Sequence, residues 1–268
     1  MPSISVLMPC YDAGRYLRAS VDSAVGQLGP DDELVVQDAC STDGSSELLD
    51  EIAAADHRVS VRHERDDGQS DALNRALRRA RGDLVCWLNA DDLLLPGALA
   101  AVRAEVLAGG RTPELVVGGW QLLSANGLVL RENPAERLDH RTVLRRGCYV
   151  FSGALLVRRD VLVAGGGYAA DLHYVMDFDL MLRLAARRDQ LLVRHPLAAL
   201  RYHRDSKSGD EVGRFFTEAL GVRWRGVRHP ADVPSAAVGS VVHGMAVATM
   251  GLRFGAVYSR LRRKAMTR

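Results

Sequence analysis

The stretch "GDLVCWLNADDLLLPGAL" (Gly82 to Leu99) sets two adjacent carboxylates, Asp91 and Asp92, between apolar runs. Like charges side by side repel, and removing each from water is costly unless a positive partner is present. Two chemistries are open to such a pair: a solvated turn before a helix, or joint possession of a cation. The remaining polar groups favour the cation. Pro9-Cys10-Tyr11-Asp12 follows the first apolar run, and Asp38 with Ser41-Thr42-Asp43-Gly44 follows the second. Asp66-Asp67-Gly68-Gln69-Ser70-Asp71 follows the third, and Asn89, Asp91 and Asp92 follow the fourth. Open α/β sheets bind ligands at the carboxyl ends of their strands, so these acids would collect on one rim. Such a rim cannot hold an anion by itself. With Mg²⁺ or Mn²⁺ it can, the ion taking carboxylate oxygens on one side and phosphate oxygens on the other. Asp38 or Asp71 could then accept from a ribose hydroxyl or a base N–H. No G-x-G-x-x-G follows the first run and no G-x-x-x-x-G-K-[ST] occurs, which argues against dinucleotide and P-loop sites.

The elements that must position these groups alternate at short intervals. "ISVLMP", "ELVVQD", "RVSVRHE" and "DLVCWLN" read as buried parallel strands. Between them, Leu17, Val21, Ala24, Val25 and Leu28 share one helical face with Asp12 as its cap. Leu48, Leu49 and Ile52 mark a second helix, and Ala72, Leu73, Ala76, Leu77 and Ala80 a third that stops at Gly82. Pro96 opens a fourth. Three β-α units and a further strand predict a doubly wound, mostly parallel sheet with right-handed crossovers. After Pro113 the rhythm changes. A hairpin turning at Asn126-Gly127, a helix near Arg141, a strand at "SGALLVRR" and a helix over "DFDLMLRLAARR" make the sheet mixed. From about Gly209 the chain reads as helical. "VPSAAVGSVVHGMAVATMG" is small-residue-rich, weakly apolar for a span, and followed by Arg253, Arg260, Arg262, Arg263, Lys264 and Arg268. A helix pair packed on the body is expected there, with an interfacial membrane contact and a span as alternatives.

The 268 residues are 47% hydrophobic and 25% charged, enough for a well-filled core, and a net charge of +2 is too balanced to imply a polyanionic partner by itself. Cys10, Cys40, Cys86 and Cys148 are scattered without a C-x-x-C pair, which fits small buried hydrophobes in a reducing compartment. "MPSISVLMPCYD" lacks the basic and apolar regions of a secretory signal, so a cytoplasmic chain is expected.

The residues resemble a known family, the family 2 glycosyltransferases with the GT-A fold. The likeness rests on "SVLMPCYDAGRYLRASVDSAVGQ", "ELVVQDACSTDGSSELL", "DDGQSDALNRALRRARGDLVCWLNADDLLLPGAL", "GGGYAADLHYVMDFDLMLRLA" and "LRYHRDSKS". It runs from about Ser3 to Ser208, in the family's order. It implies a GT-A domain over residues 1–208, with a nucleotide-sugar half (1–112) and an acceptor half (113–208), then a helical extension (209–268). By this resemblance Asn89-Ala90-Asp91-Asp92 looks like the D-x-D-type metal element, with Asp91, Asp92 and His203 as the metal set for Mn²⁺ or Mg²⁺. Pro9, Tyr11, Asp12, Asp38, Gln69, Asp71, Asn74, Asn89 and Asp91 fall where nucleotide-sugar contacts are expected. Asp177 looks like the catalytic base, with Asp179 as its rival, and His203 like the histidine that closes on the diphosphate. Asn89 replaces the usual first aspartate, so a metal contact, a ribose contact and a structural amide all stay open there. Met176 stands where an acid often precedes the base.

The implied reaction is a single inverting displacement: a nucleoside-diphosphate sugar, expected to be a UDP-sugar, passes its sugar to a hydroxyl of a glycan, lipid-linked or small-molecule acceptor. Each group has a plainer reading as a turn, cap or surface residue, and Trp87, Trp120 and Trp224 as core, with Trp120 the one candidate for acceptor stacking. The competing functions are a nucleotidyltransferase, which would need a glycine-rich basic loop where "PCYDAGRYLRAS" stands, and a non-catalytic nucleotide- or carbohydrate-binding relative. A peripheral contact of the basic C-terminal end with the inner membrane face is a further expectation; nucleic acid is not.

Overall fold

A two-residue period decides what each face of the first strands buries. In the computed structural model, which describes residues 1–203 and 212–245, β1 is Ile4–Cys10, β2 Glu33–Asp38 and β4 Leu84–Trp87. Ile4, Val6, Met8, Leu34, Val36, Leu84 and Cys86 enter one core. Leu7, Val35, Val85 and Trp87 enter the other, on the opposite side of the sheet. Helices α1 (Leu17–Val25), α2 (Ser45–Ala55) and α4 (Ala98–Ala108) cover the first side through Leu17, Val21, Leu49, Ile52, Leu99 and Val102. Helices α3 (Gln69–Arg79), α5 (His140–Arg146) and α7 (Met176–Leu184) cover the second through Leu73, Leu77, Val143, Phe178 and Met181. Strands buried on both faces therefore read as continuous apolar runs.

The remaining strands are β3 (Val59–His63), β5 (Leu93–Leu94), β6 (Leu115–Ser124), β7 (Val129–Asn133), β8 (Leu155–Arg158) and β9 (Gln190–Tyr202). Helix α6 is Arg159–Ala164 and α8 is Val212–Arg225. One nine-stranded sheet has the order β3-β2-β1-β4-β8-β6-β9-β5, with β7 attached to β6. Its first part is parallel, as the β-α rhythm predicts. Its second part is mixed: β8 runs antiparallel to β4 and β6, β7 to β6 and β5 to β9, while β6 and β9 are parallel. The hairpin turns at Asn126-Gly127, where Gly127 has φ +82°.

Two elements differ from the expectation. The apolar residues after Asp92 do not run straight into a helix; Leu93 and Leu94 pair with Ala199 and Ala198 as β5, and α4 starts after Gly97. The long β9 went unread because Arg194, His195 and Pro196 interrupt its pattern. Its pairing with β6 shifts register around Gly118 and Gly119, and a Cβ on Gly118 would lie 2.2 Å from the Leu197 side chain. Glycine is thus what lets β9 bend toward the rim.

The C-terminal helices pack on the body over their described residues. Ala219, Val222 and Ala236 share a core with α5 and α7. Arg223 is 1% exposed, donates from Nε to Leu144 O at 2.8 Å, and lies over the Phe178 ring. The boundary expected at 208/209 and the basic run from Arg253 to Arg268 lie outside the described residues. Among the described residues no helix is long and apolar enough to cross a membrane.

Candidate active site

One cleft of about 1400 Å³ opens at the carboxyl ends of β1, β2 and β4. Its walls are the end of β1 with the loop after it (Pro9, Tyr11, Asp12), the loop after β2 (Cys40, Thr42) and the entry to α3 (Asp66, Gln69). Asn89 and Asp91 come from the end of β4, Arg201 and His203 from the end of β9, and Asp177 from the first turn of α7.

The first two loops are laced together. Asp12 N–H donates to Ser41 Oγ at 2.9 Å, Asp12 Oδ1 accepts from Thr42 N–H at 2.8 Å, and Gly14 N–H donates to Asp43 Oδ2 at 2.8 Å. Asp12 (φ +44°) and Cys40 (φ +62°) both take left-handed backbone to make these turns. Asp12 therefore does not cap α1; a short 3₁₀ turn over Gly14–Tyr16 intervenes.

The adjacent carboxylates Asp91 and Asp92 separate. Asp92 is fully buried and beneath the cleft: its Oδ1 accepts from Arg201 N–H and its Oδ2 from Asn89 Nδ2, both at 2.9 Å. Burial, then the neighbouring Asp91 charge, push its carboxyl well above the usual range. Asp91 turns outward and its Oδ2 meets His203 Nε2 at 2.9 Å. Tyr16 packs against the His203 ring at 4.7 Å and carries the Arg201 guanidinium on its own face at 4.8 Å. Asn89 lines the cleft, and its Oδ1 accepts from Gln69 Nε2 at 2.8 Å and Trp87 Nε1 at 2.7 Å, so its amide is engaged within the protein.

A single ion shared by all the rim acids is therefore not what the geometry offers. Among the described residues no three His, Cys, Asp or Glu side chains converge as a ready-made ion cage. Asp91 and His203 do converge, and they fit a Mg²⁺- or Mn²⁺-type ion that takes few protein donors and completes its shell with phosphate oxygens and water. Asp92 does not fit, because both its oxygens already serve the fold. Nor is the rim uniformly acidic: Arg15, Arg65 and Arg201 line the same cleft.

Three other expected contacts sit away from the wall. Asp38 is fully buried and accepts from Ser41 Oγ at 2.5 Å and Ser46 Oγ at 2.7 Å, with His63 Nδ1 at 2.8 Å. Burial raises its carboxyl, but the Ser41, Ser46 and His63 hydrogen bonds outweigh that and hold it below the ordinary value. Asp71 forms an i,i+4 ion pair with Arg75 at 2.8 Å. Asn74 exchanges hydrogen bonds with the backbone of Tyr168 at 2.7 and 2.9 Å. These three brace the cleft's supporting elements.

His63 also reaches Asp50 through Nε2 at 2.9 Å, and its bond to Asp38 leads the effects that raise its pKa. The stability this contributes is fully present below the unfolded-state value near 6.5 and is lost as pH rises through the higher folded value. Melting curves should accordingly show a fall in Tm starting above pH 6.5 that is absent in His63→Gln. Parallel wild-type and variant curves across that range would refute the assignment.

At the opposite wall Asp177 accepts its own helix's Phe178 N–H at 2.8 Å. Burial lifts its carboxyl, with Phe178 N–H and the neighbouring Cys148 thiol pulling the other way. Its rival Asp179 is absent from the cleft wall and paired with Arg183 at 2.8 Å, which also ties Gly165 O and Gly167 O. Trp87 and Trp120 both line the cleft; Trp87 also stacks edge-on to Tyr168 at 5.5 Å, and Trp120 donates to Tyr149 O at 3.3 Å. All four cysteines are free; Cys10 and Cys86 are buried as expected, while Cys40 and Cys148 open onto the cleft. Arg15, Arg65, Cys148, His173 and Arg201 are among the wall residues that sequence reasoning left out of the site.

The profile of glycosyl transferase family 2 matches residues 5–147. A Bacillus subtilis protein assigned to teichuronic acid biosynthesis as a glycosyltransferase is 38% identical over 92 residues, 34% of this chain and 36% of that one. The chain thus spans about a third of that relative. Two solved structures are alike in fold. Staphylococcus aureus TarS 1–349 in complex with UDP-GlcNAc has a TM-score of 0.68 at 16% identity, covering 88% of this chain and 71% of that one. The mannosyltransferase PcManGT of Pyrobaculum calidifontis, in complex with GDP-Man and Mn²⁺, has a TM-score of 0.57 at 21% identity, covering 96% and 80%. The GT-A fold expected from the sequence is the fold they share.

Proposed function

This chain belongs to glycosyl transferase family 2, and from that premise we propose that it transfers a sugar from a nucleoside-diphosphate sugar, a UDP-sugar foremost, to an acceptor hydroxyl with inversion. The observation that carries this reading is one cleft with the Asp91–His203 pair on one wall and the Asp177 carboxylate on another. The UDP-GlcNAc bound by TarS and the GDP-Man bound by PcManGT support the donor class, and the Mn²⁺ of the latter supports the cation. A divalent ion held by Asp91 and His203 would supply Lewis-acid neutralisation of the departing diphosphate.

The chain's own residues do the rest. Tyr11, Asp12, Asp66 and Gln69 line the donor half, and Arg15, Arg65 and Arg201 bring positive charge to the same wall for the phosphates. Asp177 takes the acceptor hydroxyl proton as the new C–O bond forms and the anomeric bond to phosphate breaks. Its raised pKa suits it to that task. Residues 1–112 form the donor half and 113–208 the acceptor half of this reading, with Trp120 as an acceptor platform. A glycan or lipid-linked acceptor in polysaccharide or glycoconjugate biosynthesis accords with the teichuronic acid relative. The protein is then a cytoplasmic one working at the inner membrane face.

Thermal denaturation with UDP-, dTDP- and GDP-sugars, with and without Mn²⁺, tests the proposal. A ligand at about 100 times its Kd adds roughly 2.7 kcal/mol, a rise of several degrees in Tm. The metal-dependent part should vanish in Asp91→Ala. A panel without any metal-dependent shift, or one that Asp91→Ala leaves intact, would overturn the donor site.

A further inference from the structure

A surface helix in water carries charge on its outer face. The helix over residues 233–245 does not. Ala236 is fully buried, and a Cβ on Gly239 would lie 2.2 Å from Leu144 O, so that side is seated on the body. The opposite side is an i, i+3, i+4, i+7 stripe of Val238, Val241, Val242 and Met245, exposed by 49, 61, 50 and 57%. From Val233 to Leu252 the sequence holds no Asp, Glu, Lys or Arg. Six of the chain's 35 Lys and Arg, and none of its 33 Asp and Glu, lie beyond residue 245, which leaves residues 1–245 net acidic.

We propose that this apolar stripe, with the basic sequence that follows it, docks the protein on an anionic lipid surface. Apolar side chains in a helix face and a neighbouring cluster of cations are the two signals that reversible interfacial binding needs. Charge separates this occupant from a second copy: the sequence after the stripe carries six cations and no acid, a composition that an anionic surface attracts and its own like repels. The placement also relates to the cleft. Tyr174 on the cleft wall meets Phe215 of α8 at 6.5 Å, and Phe215 meets His243 of the stripe's helix at 5.3 Å. The docked face and the mouth of the acceptor half are thereby joined through a short run of rings. Lipid docking is independent of the sugar chemistry proposed above and stands or falls separately.

Co-sedimentation of the full chain with vesicles of phosphatidylcholine alone, and of equal parts phosphatidylcholine and phosphatidylglycerol, tests it. Binding should be confined to the anionic vesicles and weaken with added salt. Val241→Asp with Met245→Asp should weaken it by about tenfold or more while Tm and the Mn²⁺–nucleotide shift stay at wild-type values. Replacing the six cations by glutamine should weaken it comparably. No binding to anionic vesicles overturns the proposal. So does full binding by the double variant, which would leave the cations alone responsible, or a gel-filtration dimer that the double variant dissolves. Vesicle binding without any nucleotide shift would instead leave docking standing and the donor site refuted.

Discussion

Asp177→Asn lowers kcat by about 10²–10⁴-fold and leaves the Mn²⁺-dependent donor shift in place. The substitution keeps an acceptor for Phe178 N–H, the carboxylate's 2.8 Å partner, so the first turn of α7 is preserved. What it removes is the carboxylate proposed to take a proton from the acceptor. The wild-type kcat/KM should fall on the acid side with a limb above the ordinary carboxylate value near 4, because burial favours the neutral form. In the variant that limb disappears. Asp179→Asn is the control: it removes the charge that pairs with Arg183 and should reduce stability more than turnover. Wild-type turnover by Asp177→Asn, or the larger loss appearing in Asp179→Asn, would transfer the role.

Asn89→Asp, which makes the metal element look more like the usual D-x-D, should unfold the protein more readily. Asn89 Nδ2 donates to the buried Asp92 carboxylate, whose remaining partner is Arg201 N–H. A carboxylate at position 89 would replace that donor with a like charge at hydrogen-bond distance from the fully buried Asp92. Removing one partner from a buried charge costs about 3–5 kcal/mol, or roughly 6–20 °C in Tm for a chain of this size. The sign of the pH dependence is fixed by the raised Asp92 carboxyl. Its protonation relieves the repulsion, so the deficit should be largest at alkaline pH and shrink as pH falls. Calorimetry in chelator at two pH values decides it. A variant as stable as wild type, or one whose deficit grows on acidification, would contradict this role of the amide.

These two side chains mark how far sequence reading reaches. The parallel half was legible because each β-α unit is contiguous and its strands are buried on both sides. Asp91, Tyr11 and Gln69 were legible because each follows its own strand directly to the rim. Asp38 was placed in the wrong network, although its parity was available. It shares the face of Leu34 and Val36, so it points toward α2, where Ser46 meets it. Asp71 and Arg75 have the spacing of a helical ion pair, a plainer role than a nucleotide contact. Arg201 was invisible for a different reason. An arginine inside "AALRYH" reads as one more strand residue until β9 is threaded beside β6, and β9 itself is masked by Pro196. His203 came through family resemblance alone; nothing local distinguishes it from a surface histidine.

The reliance of Asp92 on Arg201 N–H, 109 positions later, bears on how the protein is born. Residues 5–147, the span of the family profile, leave the ribosome with the acidic element complete but without β9 or Asp177. At about 5–20 residues per second, on the order of 5–20 s separates synthesis of the carboxylate from synthesis of its donor. Throughout that interval the nascent chain has a reason to keep this edge hydrated and unsealed, and a stalled product ending before β9 should be a substrate for proteolysis rather than a folded half.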